Sequence, residues 1–312
     1  MVSTTIDILR CKVKNVRMTV PQLSAIAELF KPITWFPPMW AYACGVVSTG
    51  VSLEEHWGLV LWGIILAGPM VCACSQACND WFDRHVDAIN EPKRPIPSGR
   101  IPGHWGLWLA LVWTLLSLVW AWGLGPWAFR AGALGLVLAW AYSAPPWRFK
   151  QNGWIGNAAC ALSYEGLAWL TGAAVMLGNQ FPAKIIVAFA LLYSLGAHGI
   201  MTLNDFKAIE GDRLMNVRSL PILMGEKAAA WMSCLIMTLA QWSVALLLLQ
   251  GHKDTSALAV LVLSLAQWPL MFKFIKDPVG KALWVSAFGV PMYVSGMMVS
   301  AFALRGLAER AL

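Results

Sequence analysis

Apolar residues fall in long, nearly uninterrupted runs separated by short polar stretches. Nine runs stand out, over roughly 32–50, 57–79, 105–124, 126–143, 153–177, 183–205, 228–250, 255–272 and 280–304. Each is near the roughly 20 residues that carry a helix across a hydrocarbon core. The pattern predicts an all-α, polytopic membrane protein of nine transmembrane helices. Pro37-Pro38, Pro69, Pro269 and Pro291 interrupt these runs and predict kinks, which are tolerated where neighbouring helices satisfy the freed backbone. Gly123-Leu124-Gly125-Pro126 barely separates the third run from the fourth, so a tight helical hairpin is expected there. The runs divide the chain into an N-terminal segment (1–31), a transmembrane domain (32–304) and a short tail (305–312).

Composition sharpens this picture. Hydrophobic residues make up 58% of the 312 and charged ones 12%, about half the roughly 25% of a soluble domain. Many of the 19 Trp, such as Trp57, Trp105, Trp127 and Trp154, lie near run ends, as interfacial belts do. The net charge of +7 does not imply a nucleic-acid partner, because no basic patch interleaves with exposed aromatics. It follows the positive-inside rule instead. With the N-terminus cytoplasmic, 18 of the 23 Lys and Arg fall in inside segments, so nine spans leave the C-terminus outside. Residues 1–31 contain no apolar core of a secretory signal. They also lack the long Ser- and Arg-rich leader of a plastid precursor, which favours a bacterial inner (intracytoplasmic) membrane. Cys72, Cys74 and Cys78 cluster before the first polar island, but no His or further Cys completes a zinc pattern. They read as small helix-packing residues.

That first island, NDWFDRHVDAINEPKRPIPSGR (79–100), carries the chemistry. Asp80, Asp83 and Asp87 are spaced i, i+3, i+7 and share one helix face. Like charges on one stripe repel, and a divalent cation relieves them; all-oxygen ligands suit Mg2+, which sits between carboxylates and substrate phosphates. Lys93, Arg94 and Arg100 follow and suit an anion held by the same metal. A second island, NDFKAIEGDR (204–213), ends the sixth run as Asn79-Asp80 ends the second. On a continuous helix Asp205 and Asp212 share a face; Ala208 stands where the middle acid would be, and Glu210 compensates only if the helix unwinds at Gly211. Eight of the 16 acids lie in or beside these islands. The sequence thus looks like a duplicated four-helix unit, each copy delivering an Asn-Asp pair to the cytoplasmic face. Two acidic clusters with cations around them suit a diphosphate clamped by Mg2+, with ionisation of an allylic prenyl donor as the chemistry and the cation sheltered from water in the bundle.

Asn79-Asp80, Asp83 and Asp87 match the first aspartate motif of the UbiA superfamily of intramembrane prenyltransferases, and the stretch resembles it. Within that superfamily, DAINEPKRPIPSGRI, YSAPPWRFKQNGWIGN (142–157) and NDFKAIEGDR with RSLP after it resemble the chlorophyll and bacteriochlorophyll synthases, the bacterial type being preferred. Ala208 departs from the general superfamily pattern. The resemblance implies Mg2+-dependent esterification of a (bacterio)chlorophyllide propionate by geranylgeranyl or phytyl diphosphate. It implies the lipid bilayer as surroundings, and other pigment-synthesis or photosynthetic assembly proteins as partners. A propionate is already ionised at neutral pH, so no general base is required.

Carried over residue by residue, the resemblance assigns Asn79, Asp80, Asp83 and Asp87 to a first metal and the diphosphate. Asn204, Asp205 and Asp212 take a second, with Glu210 as helper. Arg94, Arg148, Lys150 and Lys207 are candidates for the diphosphate, and each is equally a positive-inside residue. Tyr142 resembles a family tyrosine near the reacting carbon, and an interfacial belt role is the other reading. Glu165 and His198 lie inside apolar runs, where ionisable groups point to function. Pigment contact, with His198 as axial ligand to its magnesium, stands against a buried, hydrogen-bonded His. The rival acceptors are a quinone precursor or a lipid alcohol. A transporter would place its polar groups at the midplane, and a non-catalytic pigment carrier would not need two aspartate clusters.

Overall fold

The computed structural model describes residues 20–308, and the expectations for residues 1–19 and 309–312 lie outside them. Among the described residues the only β pairing is an isolated bridge between Asn152 and Arg218. A short amphipathic helix, α1 (Leu23–Leu29), precedes a 3-10 turn (Pro32–Thr34). Then come α2 (Phe36–Ser48), α3 (Leu53–Asn90), α4 (Trp105–Leu124) and α5 (Pro126–Ser143). Helix α6 (153–176) is built of Gly153–Ala161, a π-helical turn Leu162–Leu167 and Ala168–Met176. It is followed by α7 (Lys184–Asp205), α8 (Ile209–Leu214), α9 (Leu220–Met224), α10 (Glu226–Gln250), α11 (Asp254–Lys276) and α12 (Pro278–Ala308).

Six of these helices, α3, α4, α7, α10, α11 and α12, are long and apolar enough to cross a membrane, so the chain is a multi-pass membrane protein. The other apolar runs are helical too, but α2 has 13 residues, α5 carries Arg130 in its second turn, and α6 carries Glu165 near its middle. Gly125, at φ 108°, makes the hairpin between α4 and α5. It fits because glycine alone adopts such a backbone without strain.

Helix contacts follow the membrane rule that small residues let backbones approach. A Cβ on Gly45 of α2 would collide with the Trp169 carbonyl of α6, and one on Gly172 of α6 with the Tyr42 carbonyl of α2. The main core joins α2, the second half of α6, α7, α10, α11 and α12. A second core packs α1 against α3 and α4. Helix α3 also widens into a π turn at Leu66–Cys72, around Pro69. The Pro69 carbonyl accepts a hydrogen bond from Trp113 Nε1 of α4 at 2.8 Å, which satisfies one backbone group that the irregular turn frees.

Beyond α3, the loop 91–104 is pinned to α1. Arg100 bonds both Glu28 carboxylate oxygens and the Lys93 carbonyl. Its guanidinium holds the Glu28 carboxyl below the usual range by hydrogen bonding. The loop 144–152 is tied to the segment after α8: Gly153 N–H donates to the Arg218 carbonyl at 2.9 Å, and Arg218 N–H to the Gln151 carbonyl at 3.0 Å.

Candidate active site

Asn79, Asp80, Asp83 and Asp87 occupy the last three turns of α3. Asn79 Nδ2 donates to Asp83 Oδ2 at 3.0 Å and to Ser143 Oγ at 3.4 Å. Lys150 donates to the other Asp83 oxygen. Asp80 and Asp87, both buried, share Arg94, whose Nη1 lies 3.5 Å from Asp80 Oδ1 and 2.8 Å from Asp87 Oδ2. Lys31 Nζ meets Asp80 Oδ1 at 2.6 Å. Three side-chain cations therefore offset the repulsion within the acidic stripe. Burial pulls the Arg94 guanidinium down, but Asp80, Asp87 and Glu91 together raise it above its ordinary value. Burial lowers the Lys150 ammonium, against the pull of Asp83.

The second island departs from the continuous helix that its i, i+7 spacing assumes. Helix α7 ends at Asp205, and α8 starts only at Ile209. The break still leaves Asp205 and Asp212 within electrostatic reach of each other. Asp205 Oδ2 accepts from Asn157 Nδ2 at 2.9 Å. Burial raises the Asp212 carboxyl above its ordinary range. Glu210 is exposed in the first turn of α8. Lys207, also exposed, bonds Asn204 Oδ1 at 3.3 Å.

The islands come together. Asn79 and Asn204 line one cavity of about 410 Å3, whose wall also includes Tyr142, Gln76 and Tyr164. Tyr142 of α5 and Cys160 of α6 share the cavity wall with the two Asn residues. Asn90, at the end of α3, lies beside Gly211 of α8: its Nδ2 is 3.7 Å from the position a Cβ there would take. Away from its polar mouth the cavity is apolar, reaching Tyr42, Leu66 and Leu167. This is a pocket with a polar end and a greasy interior.

The chain matches the UbiA prenyltransferase family over residues 32–297. It is 55% identical over 289 residues to the bacteriochlorophyll synthase 33 kDa chain of Cereibacter sphaeroides, covering 93% of this chain and 95% of that one. It is 56% identical over 292 residues to the protein of the same name from Rhodobacter capsulatus, covering 93% and 96%. The chain belongs to the UbiA prenyltransferase family. Among solved structures, a UbiA homolog from Archaeoglobus fulgidus bound to GPP and Mg2+ superposes with a TM-score of 0.69 at 20% identity, over 90% of this chain and 99% of that one.

As a UbiA-family chain it is an intramembrane prenyltransferase, and its fingerprint segments have local structural reasons. In KQNGWIGN, Asn152 caps α6 by accepting from the N–H groups of Trp154 and Ile155. Gly153 gives room to the backbone of Leu220. Asn157 holds Asp205. Arg148 stands beside Lys150, with its Nε buried and without a partner. Of the sequence candidates, Asn79, Tyr142 and Asn204 line the cavity itself, whereas the aspartates, Glu210, Arg94, Arg148, Lys150, Lys207, Glu165 and His198 are not in its wall. Glu165 is buried in the π turn of α6 with Oε2 unpartnered. His198 packs against Trp154, with ring centroids 5.6 Å apart and Nε2 3.3 Å from the Trp154 carbonyl.

Three residues escaped the sequence reading. Lys31 was absorbed in the positive-inside count, although the following Pro32 marks the entry to the first apolar run. Gln76 and Tyr164 lie within apolar runs, where the signal was their polarity on a helix otherwise built for lipid and packing.

Proposed function

We propose that this chain transfers a C20 prenyl group, geranylgeranyl or phytyl, from its diphosphate to the propionate carboxylate of (bacterio)chlorophyllide. The observation that carries this reading is one cavity with Asn79 of α3 and Asn204 of α7 in its wall, each the first residue of an Asn-Asp pair. Arg94 and Lys150 pair with Asp87 and Asp83 of α3 beyond its polar end, and its depth is apolar. The high identity to two bacteriochlorophyll synthases supports the acceptor. Nine spans, an N-terminus inside and the charged end at the cytoplasmic side of a bacterial inner membrane complete the proposal. So do the divisions 1–31, 32–304 and 305–312.

A divalent metal fits these residues. Among the described residues no three acids, His or Cys are placed to hold a metal by themselves, so phosphate oxygens would have to complete the ligand set. Asp80 Oδ2 is buried without a partner, and an unpaired buried carboxylate oxygen suits a cation. Asn79, Asp80, Asp83 and Asp87 would hold one Mg2+, and Asp205, Asp212 and Glu210 a second. When bound, the metal supplies positive charge to the departing diphosphate.

The chain's own residues do the rest. Arg94, Arg148, Lys150 and Lys207 bind the diphosphate oxygens. Tyr142 faces the reacting carbon, and the apolar wall excludes water from the allylic cation. The C1–oxygen bond to diphosphate breaks with its electron pair leaving on the diphosphate. A propionate oxygen then donates a lone pair to C1 and forms the ester. No proton moves, so no base is needed.

The test is chromatography of the ester formed by membranes containing the protein, Mg2+, each pigment acid and each C20 diphosphate. Ester from a pigment acid is expected. Product only with a phenolic quinone precursor or a lipid alcohol would overturn the reading.

A further inference from the structure

We infer that Gln76 and Tyr164 hold the acceptor's carboxylate beside the reacting carbon and so select an ionised acid over other acceptors. The inference rests on the function proposed above and deepens it. Gln76 lies three residues before Asn79 on α3, one helical turn deeper on the same face, or about 4.5 Å along the axis. Tyr164 approaches from α6 across the cavity. Gln76 Nε2 donates to Tyr164 Oη at 3.2 Å, and both side chains line the cavity.

Depth decides the assignment. The diphosphate belongs at the level of Asn79 and Asp83, and C1 of the prenyl chain hangs one bond below it. An attacking oxygen must come within about 3–3.5 Å of that carbon. That distance brings it to the level of Gln76. An acceptor carboxylate arriving there is taken out of water and needs donors, because an unpaired buried charge is costly. It must also be kept off Asp83 and Asp205. The single bond to Tyr164 leaves one Gln76 amide hydrogen without a protein partner among the described residues. The Tyr164 hydroxyl, accepting from Gln76, has its own hydrogen to give, with Cys72 Sγ at 3.4 Å as its other hydrogen-bonding neighbour among the described residues.

The chemistry of this pair is one-sided. An amide and a phenol offer donors but no base. Glu165, next to Tyr164 in sequence, is not in the cavity wall. A carboxylate needs donors and no base. A phenol or an alcohol needs the reverse, so the pair discriminates between acceptor classes by what it lacks as well as by what it offers. In the step itself the carboxylate oxygen forms its bond to C1 as the C1–diphosphate bond breaks. The amide and hydroxyl hydrogens stay where they are.

The experiment uses the full chain in membranes, with Gln76→Leu, Tyr164→Phe and Gln76→Glu. Wild-type membranes must first form ester from a pigment acid; their failure to do so defeats the proposed function rather than this inference. Given that activity, KM is measured for acid and for prenyl diphosphate, together with competition by the pigment acid and by its methyl ester. We expect each neutral variant to raise the acid KM about tenfold and leave the diphosphate KM unchanged. The preference for acid over methyl ester as competitor should collapse, and Gln76→Glu should lose more than Gln76→Leu through charge repulsion. An unchanged acid KM and competitor preference would overturn the inference. So would a parallel rise of both KM values, which marks a merely structural wall, or a Gln76→Glu protein as active as wild type. If one variant fails to accumulate, the other neutral one carries the same readouts.

Discussion

The amide of Asn157 on α6 donates to Asp205 Oδ2 on α7 at 2.9 Å, and so fixes the direction in which the second acidic pair presents its carboxylate. A hydrogen bond to a charged group contributes about 1.5–3 kcal/mol. Asn157→Leu should therefore lower prenyl transfer about tenfold or more and raise the Mg2+ concentration needed for half-maximal rate. A titration of rate against Mg2+ checks this, and an unshifted curve would mean that Asp205 is oriented without Asn157.

Asp83 is the acid of α3 that contacts both Asn79 and Lys150. Asp83→Ala should abolish ester formation at every Mg2+ level, because it removes a metal ligand and frees two groups positioned around it. Near-normal turnover in this variant would remove Asp83 from the metal site.

Arg94 bridges two buried carboxylates, Asp80 and Asp87. Removing one partner of a buried ion pair strands the other at a cost of about 3–5 kcal/mol. Exposure of roughly a quarter of the Arg94 side chain reduces this to about 2–3 kcal/mol. Arg94→Ala in detergent should thus unfold at a lower temperature in chelator. Added Mg2+ should recover more of that loss than it gives to wild type, since a dication at the same carboxylates takes over the neutralisation. Thermal scans with and without Mg2+ measure the difference. Equal Mg2+ effects on the two proteins would show that metal and Arg94 do not share these acids.

Gly45 meets the Trp169 backbone where α2 crosses α6, whereas a Cβ at Gly58 meets nothing within 4 Å. Gly45→Val should destabilise the protein by about 3 kcal/mol or more, because the clash is with backbone rather than a flexible side chain. Gly58→Val should be close to neutral. Paired melting curves of the two variants decide it.

Much of the architecture is legible in the sequence, because apolar runs and polar islands are long-range signals that survive without any knowledge of packing. The two Asn-Asp pairs point to a common pocket, and Asn79 and Asn204 meet in its wall. The break between Asp205 and Ile209 is less legible, since the i, i+7 spacing reads equally well as one helix. Lys31 and Asn157 gain their meaning only from partners 49 and 48 residues away. Local pattern cannot supply such pairings. Gln76 and Tyr164 are hidden for a similar reason: periodicity finds faces, but not which of two faces borders a void.

The π turn at Leu66–Cys72 puts the two ends of α3 out of phase with any single helical wheel. Such a turn stores an insertion locally, leaving the helix on either side in its original orientation. A one-residue deletion inside 66–72 should therefore be absorbed, relaxing the bulge into ordinary helix while the acids keep their aim. The same deletion at 74–78, where the helix is regular, would swing Asn79 through Asp87 by about 100° and turn the catalytic end toward a neighbouring helix. Helix α3 thus carries a spare residue, and its position separates the part that anchors in lipid from the part that does chemistry.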